Sequence, residues 1–301
     1  FAGELDNTIQ IWTGDFNALV NDAIKIAEKR SQKGRSLFFL DQYGWSNVAF
    51  GSVRQILSRL AKAEIFLTFS VDALIDYMSP THVNRESYKL IDADPGFVRE
   101  LLSIKDTGAA WRTLIQNELY RHIQKKTNAE FYSSFFIKSP EAHRSYWFIH
   151  LSRHREARNE IGKIHWEENA ISLHHGRAGL DALGFAPGID PEQLTMGYAF
   201  DDHARNQSIS TLMEQIPRRI YNALDADLAP SLEQIFGLHC NDTPVTRDIF
   251  EKALIDLRKE GEIYIEDTYG KEKPRSNVVN WTDRIVLNRQ MKFFGPFGVR
   301  S

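Results

Sequence analysis

Residues 36–50 read SLFFLDQYGWSNVAF, and the reading of this stretch decides the fold. Leu37, Phe38, Phe39 and Leu40 form an unbroken apolar run, the pattern of a parallel strand covered on both faces. The run ends on Asp41, Gln42, Tyr43 and Gly44: a carboxylate, an amide, an aromatic ring and a residue suited to a tight turn. In open α/β sheets ligands sit beyond the carboxyl ends of the strands, where these groups would stand. Asp41 could accept from an exocyclic amine, carbonyls of the turn could take its second hydrogen, and Tyr43 could stack on a base. A plainer reading is a polar strand end with Tyr43 as packing and Gly44 as turn.

On either side the pattern is that of a wound sheet. Residues 8–14, TIQIWTG, alternate polar and apolar and predict a strand. Residues 17–30, NALVNDAIKIAEKR, space Leu19, Ala23, Ile26 and Ala27 as a helix, and SVRQILSRLAKA places Val53, Ile56, Leu57 and Leu60 on one helical stripe. EIFLTF, 64–69, is the next strand. Strand, helix, strand, helix, strand predicts a Rossmann-like α/β sheet. A helical insertion follows over about 71–128, and then EFYSSFFIK and SYWFIHLSRH, whose short connection makes them an antiparallel pair. REARNEIGKIHWEEN reads as a helix, and 172–206 as an irregular insertion rich in Gly, His and Asp.

From 207 the character changes. Short helices lead to TPVTRDIFEKALIDLRKEGEI, where Thr246 can cap a helix and Ile249, Phe250, Ala253, Leu254 and Leu257 line its apolar face. IYIED and DRIVLNR then flank a polar loop, giving the pattern of a winged helix. The expected division is therefore an α/β domain over 1–206 and a winged-helix-like domain over 207–301.

Composition narrows the classes. The 301 residues carry a net charge of −3, so nucleic-acid binding needs a local patch. One cysteine, Cys240, excludes an intrachain disulfide framework and a multi-cysteine zinc site. No run approaches the ~20 apolar residues of a membrane span, and a cytoplasmic protein without a membrane partner is expected. His174, His175, Asp201, Asp202 and His203 are metal ligands by type but lack ligand spacing, so no metal is expected. GxSxG and P-loop patterns are absent.

Two further segments carry chemistry. TGDF, 13–16, puts Gly14, Asp15 and Phe16 after the first predicted strand, where an acid and a ring suit an adenine; Asp15 equally suits the cap of the helix that follows. The wing loop contains Lys271, Lys273 and Arg275, and Arg247 opens the preceding helix, a set suited to phosphates or to a protein partner.

Together, FFLDQYGWSNVAFGSVRQIL, AEIFLTFSVDAL and YWFIHLSRHREARNEI resemble the class I S-adenosylmethionine-dependent methyltransferases and, more narrowly, the three-Cys-motif partner (TcmP) family, over about residues 8–166. The resemblance implies S-adenosylmethionine bound near Gly14, Asp15 and Phe16. It also implies a target amine on a nucleic-acid base, DNA or RNA, gripped near Asp41, Gln42 and Tyr43. The family name implies a cysteine-rich partner protein. Two departures stand out: Gln42 replaces the proline of the family turn, and the Gly-rich loop that cradles the cofactor is not seen after FAG at 1–3. The start of the sequence reads as a fold entered partway. The alternative is a catalytically degenerate methyltransferase fold that binds nucleic acid or protein in a phage-related or defence system.

Overall fold

A computed structural model describes residues 9–30, 35–108, 111–138, 145–167, 171–172, 198–223, 229–274 and 278–288. The chain forms two compact units: Phe1–Lys105, Glu118–Glu130 and Ile137–Arg153 make the first, and Asp106–Asn117, Phe131–Phe136 and His154–Ser301 the second.

The first unit is mixed α/β. Helix α1 (Phe16–Arg30) precedes strand β1 (Ser36–Leu40), helix α2 (Phe50–Arg59) and strand β2 (Ala63–Phe69). The chain continues through α3 (Val71–Tyr77), a 3-10 turn (Pro80–His82), α4 (Glu86–Leu90), α5 (Pro95–Ile104), α6 (Trp111–Thr127), β3 (Phe131–Lys138) and β4 (Ser145–Ser152), of which Trp111–Asn117 and Phe131–Phe136 belong to the second unit. Within the first unit the strand order is β1-β2-β4. β1 and β2 are parallel, from Ser36 opposite Ala63 to Leu40 opposite Leu67; β4 runs antiparallel to β2, from Glu64 opposite Ser152 to Phe69 opposite Trp147. The predicted stripe of α2 is fulfilled: Val53, Ile56, Leu57 and Leu60 are buried, and their helix packs on β2.

Two sequence expectations fail. Residues 9–15 form no strand, and Ile9, Ile11 and Trp12 are exposed: alternation supplies a face, but these residues have no neighbouring strand to bond among the described residues. Nor is β1 covered on both faces, since Leu37 and Phe39 are 54% and 67% exposed. Phe39 instead stacks on Phe66, and Phe66 on Phe148, each at 5.2 Å between ring centroids. Cross-strand ring pairs thus supply contact on this face in place of a covering layer.

In the second unit α7 (Arg155–Glu167) is followed by a short ladder of β5 (Ile171–Ser172) with β6 (Tyr198–Ala199), then α8 (Asp202–Ala223), α9 (Leu232–His239) and α10 (Arg247–Glu260), with β7 (Ile263–Glu266) and β8 (Arg284–Leu287) as the wing. β7 and β8 pair antiparallel. Residues 230–232 add a third strip: Ile285 N–H donates to Pro230 O at 2.9 Å and Leu232 N–H to Asp283 O at 3.0 Å. Three helices and this wing make a winged helix. Its core gathers Leu212, Ile216 and Ile220 with Phe236, Ile249, Phe250, Leu254, Leu257, Ile265 and Ile285. Gly261 ends α10 with φ of +75°, the left-handed cap that glycine adopts at no steric cost. Thr246 precedes α10 but its hydroxyl donates to Asp248 Oδ1 at 2.5 Å instead of capping a backbone N–H.

Candidate functional site

The turn after β1 is stitched by side chains. Gln42 is 5% exposed, and its Oε1 accepts from the N–H groups of Asn47 at 2.9 Å and Val48 at 3.1 Å. Its own N–H donates to Thr68 Oγ1 at 2.8 Å, and the Thr68 hydroxyl donates to Asp41 Oδ1, also at 2.8 Å. From α1, Asn17 Nδ2 donates to Asn47 O at 2.8 Å while Asn17 Oδ1 accepts from Ala49 N–H at 2.9 Å and from the Ser52 hydroxyl at 3.0 Å. The chain fixes this turn with a buried amide. A proline here would also lack the N–H that Thr68 accepts.

Beyond this turn lies a cavity of about 380 Å³ lined by Tyr43, Trp45, Asp76, Tyr77 and Tyr146 along with Gly44, Ser70 and Ala73. Tyr43 is 96% exposed, so its ring packs on nothing extensive and is available to stack. Trp45 is buried, 5.8 Å from the Tyr77 ring and 5.2 Å from that of Tyr88. Asp41 is exposed at the strand end and Gln42 is structural; neither lines this cavity. Gly44 O is taken by Ser70 N–H at 3.1 Å, so that carbonyl is already engaged. The three residues predicted to grip an amine therefore have three different surroundings: Tyr43 at the cavity, Asp41 exposed and held by Thr68, Gln42 buried in the turn.

Gly14, Asp15 and Phe16 do not end a strand. Asp15 Oδ1 accepts from Asn17 N–H at 2.9 Å and Asp15 O from the N–H groups of Ala18 and Leu19, so Asp15 caps α1. Phe16 opens the helix half-buried. Gly14–Phe16 thus stand at a helix N-terminus, with one carboxylate oxygen of Asp15 spent on the cap. His174 and His175 lie outside the described residues, and among those described no three His, Cys, Asp or Glu side chains gather as a metal-binding group.

The winged helix sorts its cations sharply. Arg247 Nε donates to Glu251 Oε1 at 2.8 Å and Nη2 to Val279 O at 3.1 Å, while its guanidinium lies over the Trp281 ring at 4.6 Å. Lys273 pairs with the buried Asp283 at 2.6 Å. Arg258 is 2% exposed and Nη2 donates to the carbonyls of Lys273 at 3.0 Å and Pro274 at 2.6 Å, tying the wing loop to α10. Arg275 lies outside the described residues. Of the predicted phosphate-binding set, Lys271 alone among the described residues is exposed with its ammonium in no ion pair.

Lys271 stands in a tight turn at the wing tip. Asp267 Oδ1 accepts from the N–H groups of Tyr269 and Lys271, each at 2.9 Å. Those bonds, the one from Lys271 foremost, hold the Asp267 carboxyl below its usual range and keep it ionised. The turn thrusts out Tyr269, which is 94% exposed. Sequence reasoning passed over Tyr269, although Asp, aromatic, Gly and Lys in DTYGK is the signature of such a turn.

Helix α7 occupies the start of α10. Arg158 Nη2 donates to Thr243 O at 2.8 Å, Trp166 Nε1 to Pro244 O at 2.9 Å, and Asn159 Oδ1 accepts from Arg247 N–H at 2.8 Å. Gly162 permits the approach: a Cβ there would lie 2.8 Å from Thr246 Cγ2. The turn 243–246 is consequently buried, and the free face of α10 begins further along, at Lys252, Ile255 and Lys259.

A family model described as a GMT-like wHTH domain matches residues 185–270, which takes in α8 to β7. No curated protein and no solved structure matches the chain. Among the described residues no helix is long and apolar enough to cross a membrane.

Proposed function

We propose that the protein binds nucleic acid through its winged helix, with the wing tip leading and the start of α10 withheld. The observation that carries this reading is the pairing of an exposed ring, Tyr269, with a cation, Lys271, that is in no ion pair among the described residues, on a turn pinned by Asp267. A ring can stack on a base or lie against a sugar, and an ammonium neutralises a phosphate. The family match over 185–270 supports it. Groove reading by the first turn of α10, the usual mode of a helix-turn-helix, finds that turn covered by α7. Fluorescence anisotropy with a labelled duplex and a labelled single strand tests the reading: Tyr269→Ala with Lys271→Ala weakens affinity by about tenfold or more. Unchanged binding by the double variant, or none by the intact chain, would refute it.

A methyltransferase-like α/β unit is the companion reading. It rests on the parallel pair β1–β2, joined through α2, with an aromatic cavity just beyond its carboxyl end. A flat ring, such as a base, can stack on the exposed Tyr43 at the mouth of this aromatic cavity. Gly14–Phe16 form a helix cap, and the α/β unit is proposed as a base-recognising fold. Calorimetric titration with S-adenosylhomocysteine separates the two possibilities: micromolar binding lost in Asp15→Ala would restore the enzyme, and absence of binding supports the recognition fold.

A further inference from the structure

A second cavity of the first unit is lined by none of the predicted site residues. It encloses about 730 Å³ and is lined by Arg54 of α2, Arg85 and Lys89 around α4, and Lys126 near the end of α6, together with Asp92 and Asp94. Cations drawn from three separate segments converge on one space large enough for a nucleotide-sized ligand.

The two carboxylates are already committed. Asp92, held in the left-handed region at φ of +53°, pairs with Arg54. Asp94 caps α5, accepting from Gly96 N–H at 2.8 Å and Phe97 N–H at 3.0 Å. Those backbone bonds hold its carboxyl below the usual range.

The cations, by contrast, are positioned with donors to spare. Arg54 uses Nη1 for both Asp92 and Lys126 O. Arg85 is steered by a chain of contacts. His82 Nδ1–H donates to Tyr77 O at 3.3 Å, leaving Nε2 to accept from Arg85 Nη2 at 2.8 Å, and the guanidinium lies 5.1 Å from the Tyr77 centroid. Lys89 pairs with Glu86 in an exposed i,i+3 contact that an incoming anion can replace at little cost. Among the described residues the Lys126 ammonium makes no hydrogen bond or ion pair. One turn earlier on α6, His122 Nε2–H donates to Ile91 O at 2.8 Å and its ring stacks on Phe97 at 4.2 Å, which fixes α6 against the 91–97 turn. Burial above all keeps that imidazole neutral, so the positive charge of the cavity resides in its arginines and lysines.

Like charges brought together repel, and focusing by low-dielectric walls makes such a recess attractive to an anion. Guanidinium forks and ammonium groups in one recess are the donor set for phosphate oxygens. We infer that this cavity binds a phosphate-bearing ligand, with Lys126 and Lys89 contacting the phosphate and Arg54 and Arg85 orienting it. The inference does not rest on the winged helix, which belongs to the other unit.

The test is calorimetric titration of the full chain with pyrophosphate. Lys89→Gln combined with Lys126→Gln, two changes on half-exposed or exposed side chains, weakens pyrophosphate binding about tenfold or more. Lys252→Gln, on α10, leaves it unchanged. Absence of pyrophosphate binding by the intact chain, or equal binding by the double variant with an unaltered circular dichroism spectrum, would overturn the assignment. A competition in the Tyr269→Ala, Lys271→Ala background then identifies the source of the phosphate. Displacement of pyrophosphate by oligothymidylate assigns the site to a nucleic-acid backbone, and failure to displace assigns it to a small phosphorylated molecule.

Discussion

The turn after β1 and the wing after β7 are built from similar residues and put to opposite use. Both are polar loops with an aromatic and a glycine, DQYG at 41–44 and DTYG at 267–270. In each the aromatic, Tyr43 or Tyr269, is more than nine-tenths exposed. What lies behind them differs. Behind Tyr43 stands a walled aromatic recess, whereas behind Tyr269 stands only a turn braced by Asp267, with the neighbouring cations Lys273 and Arg258 turned inward. The lesson is that a basic loop in sequence is not a basic surface. Charges near a wing can hold the wing together, and what remains outside is smaller and more specific.

Breaking that inner bracing is expected to have the largest effect. Arg258→Ala empties the space of a buried side chain and removes its bonds to two wing-loop carbonyls, costing about 3 kcal/mol in denaturant unfolding, and frees the wing loop from α10. Gly162→Val forces α7 away from Thr246 and costs about 2 kcal/mol by overpacking, again read from the denaturation midpoint. In the other turn, Gln42→Ala leaves the Asn47 and Val48 N–H groups unpaired and costs about 1–2 kcal/mol. Gln42→Pro destabilises as well, because both the Oε1 bonds and the N–H bond to Thr68 vanish.

A smaller effect is set by pH. Burial alone would raise the Asp248 carboxyl, but hydrogen bonds from Thr246 and Arg205 outweigh it and hold the group below its usual range. A depressed folded value contributes stability that is present above the unfolded value, near pH ~3.9, and is lost as pH falls through the folded one. The thermal midpoint of the wild type should therefore drop more steeply on acidification than that of Asp248→Asn. Smallest of all is Lys252→Ala, which removes an exposed pair with Asp256 and changes stability by less than about 0.5 kcal/mol.

Much of the fold was legible because periodicity reports burial. The stripes of α2 and α10, the strand EIFLTF and the wing strands all appear where apolar spacing puts them. TIQIWTG failed as a strand because alternation says nothing about whether a neighbour exists to share hydrogen bonds. LFFL failed as a doubly covered strand because a ring such as Phe39 can stack on Phe66 instead of lying under a helix. At the candidate sites, local signals were legible and long-range ones were not. The cap by Asp15 follows from its position two residues before Asn17, and the Tyr269 turn follows from DTYGK. The pairing of Lys273 with Asp283, of Arg247 with Trp281, and the convergence of Arg54, Arg85 and Lys126 join residues far apart in sequence. No local pattern encodes those.

The measurement that bears most directly on the wing-led account is the salt dependence of nucleic-acid affinity for the wild type, Lys271→Ala and Arg247→Ala. The account predicts that Lys271→Ala lowers the slope of log affinity against log salt by about one, the signature of a lost phosphate contact. Arg247→Ala should leave the slope alone while lowering stability, since its charge is spent on Glu251 and Trp281. The reverse result, a slope that follows Arg247 and ignores Lys271, would mean that the start of α10 reaches the nucleic acid and would contradict the account.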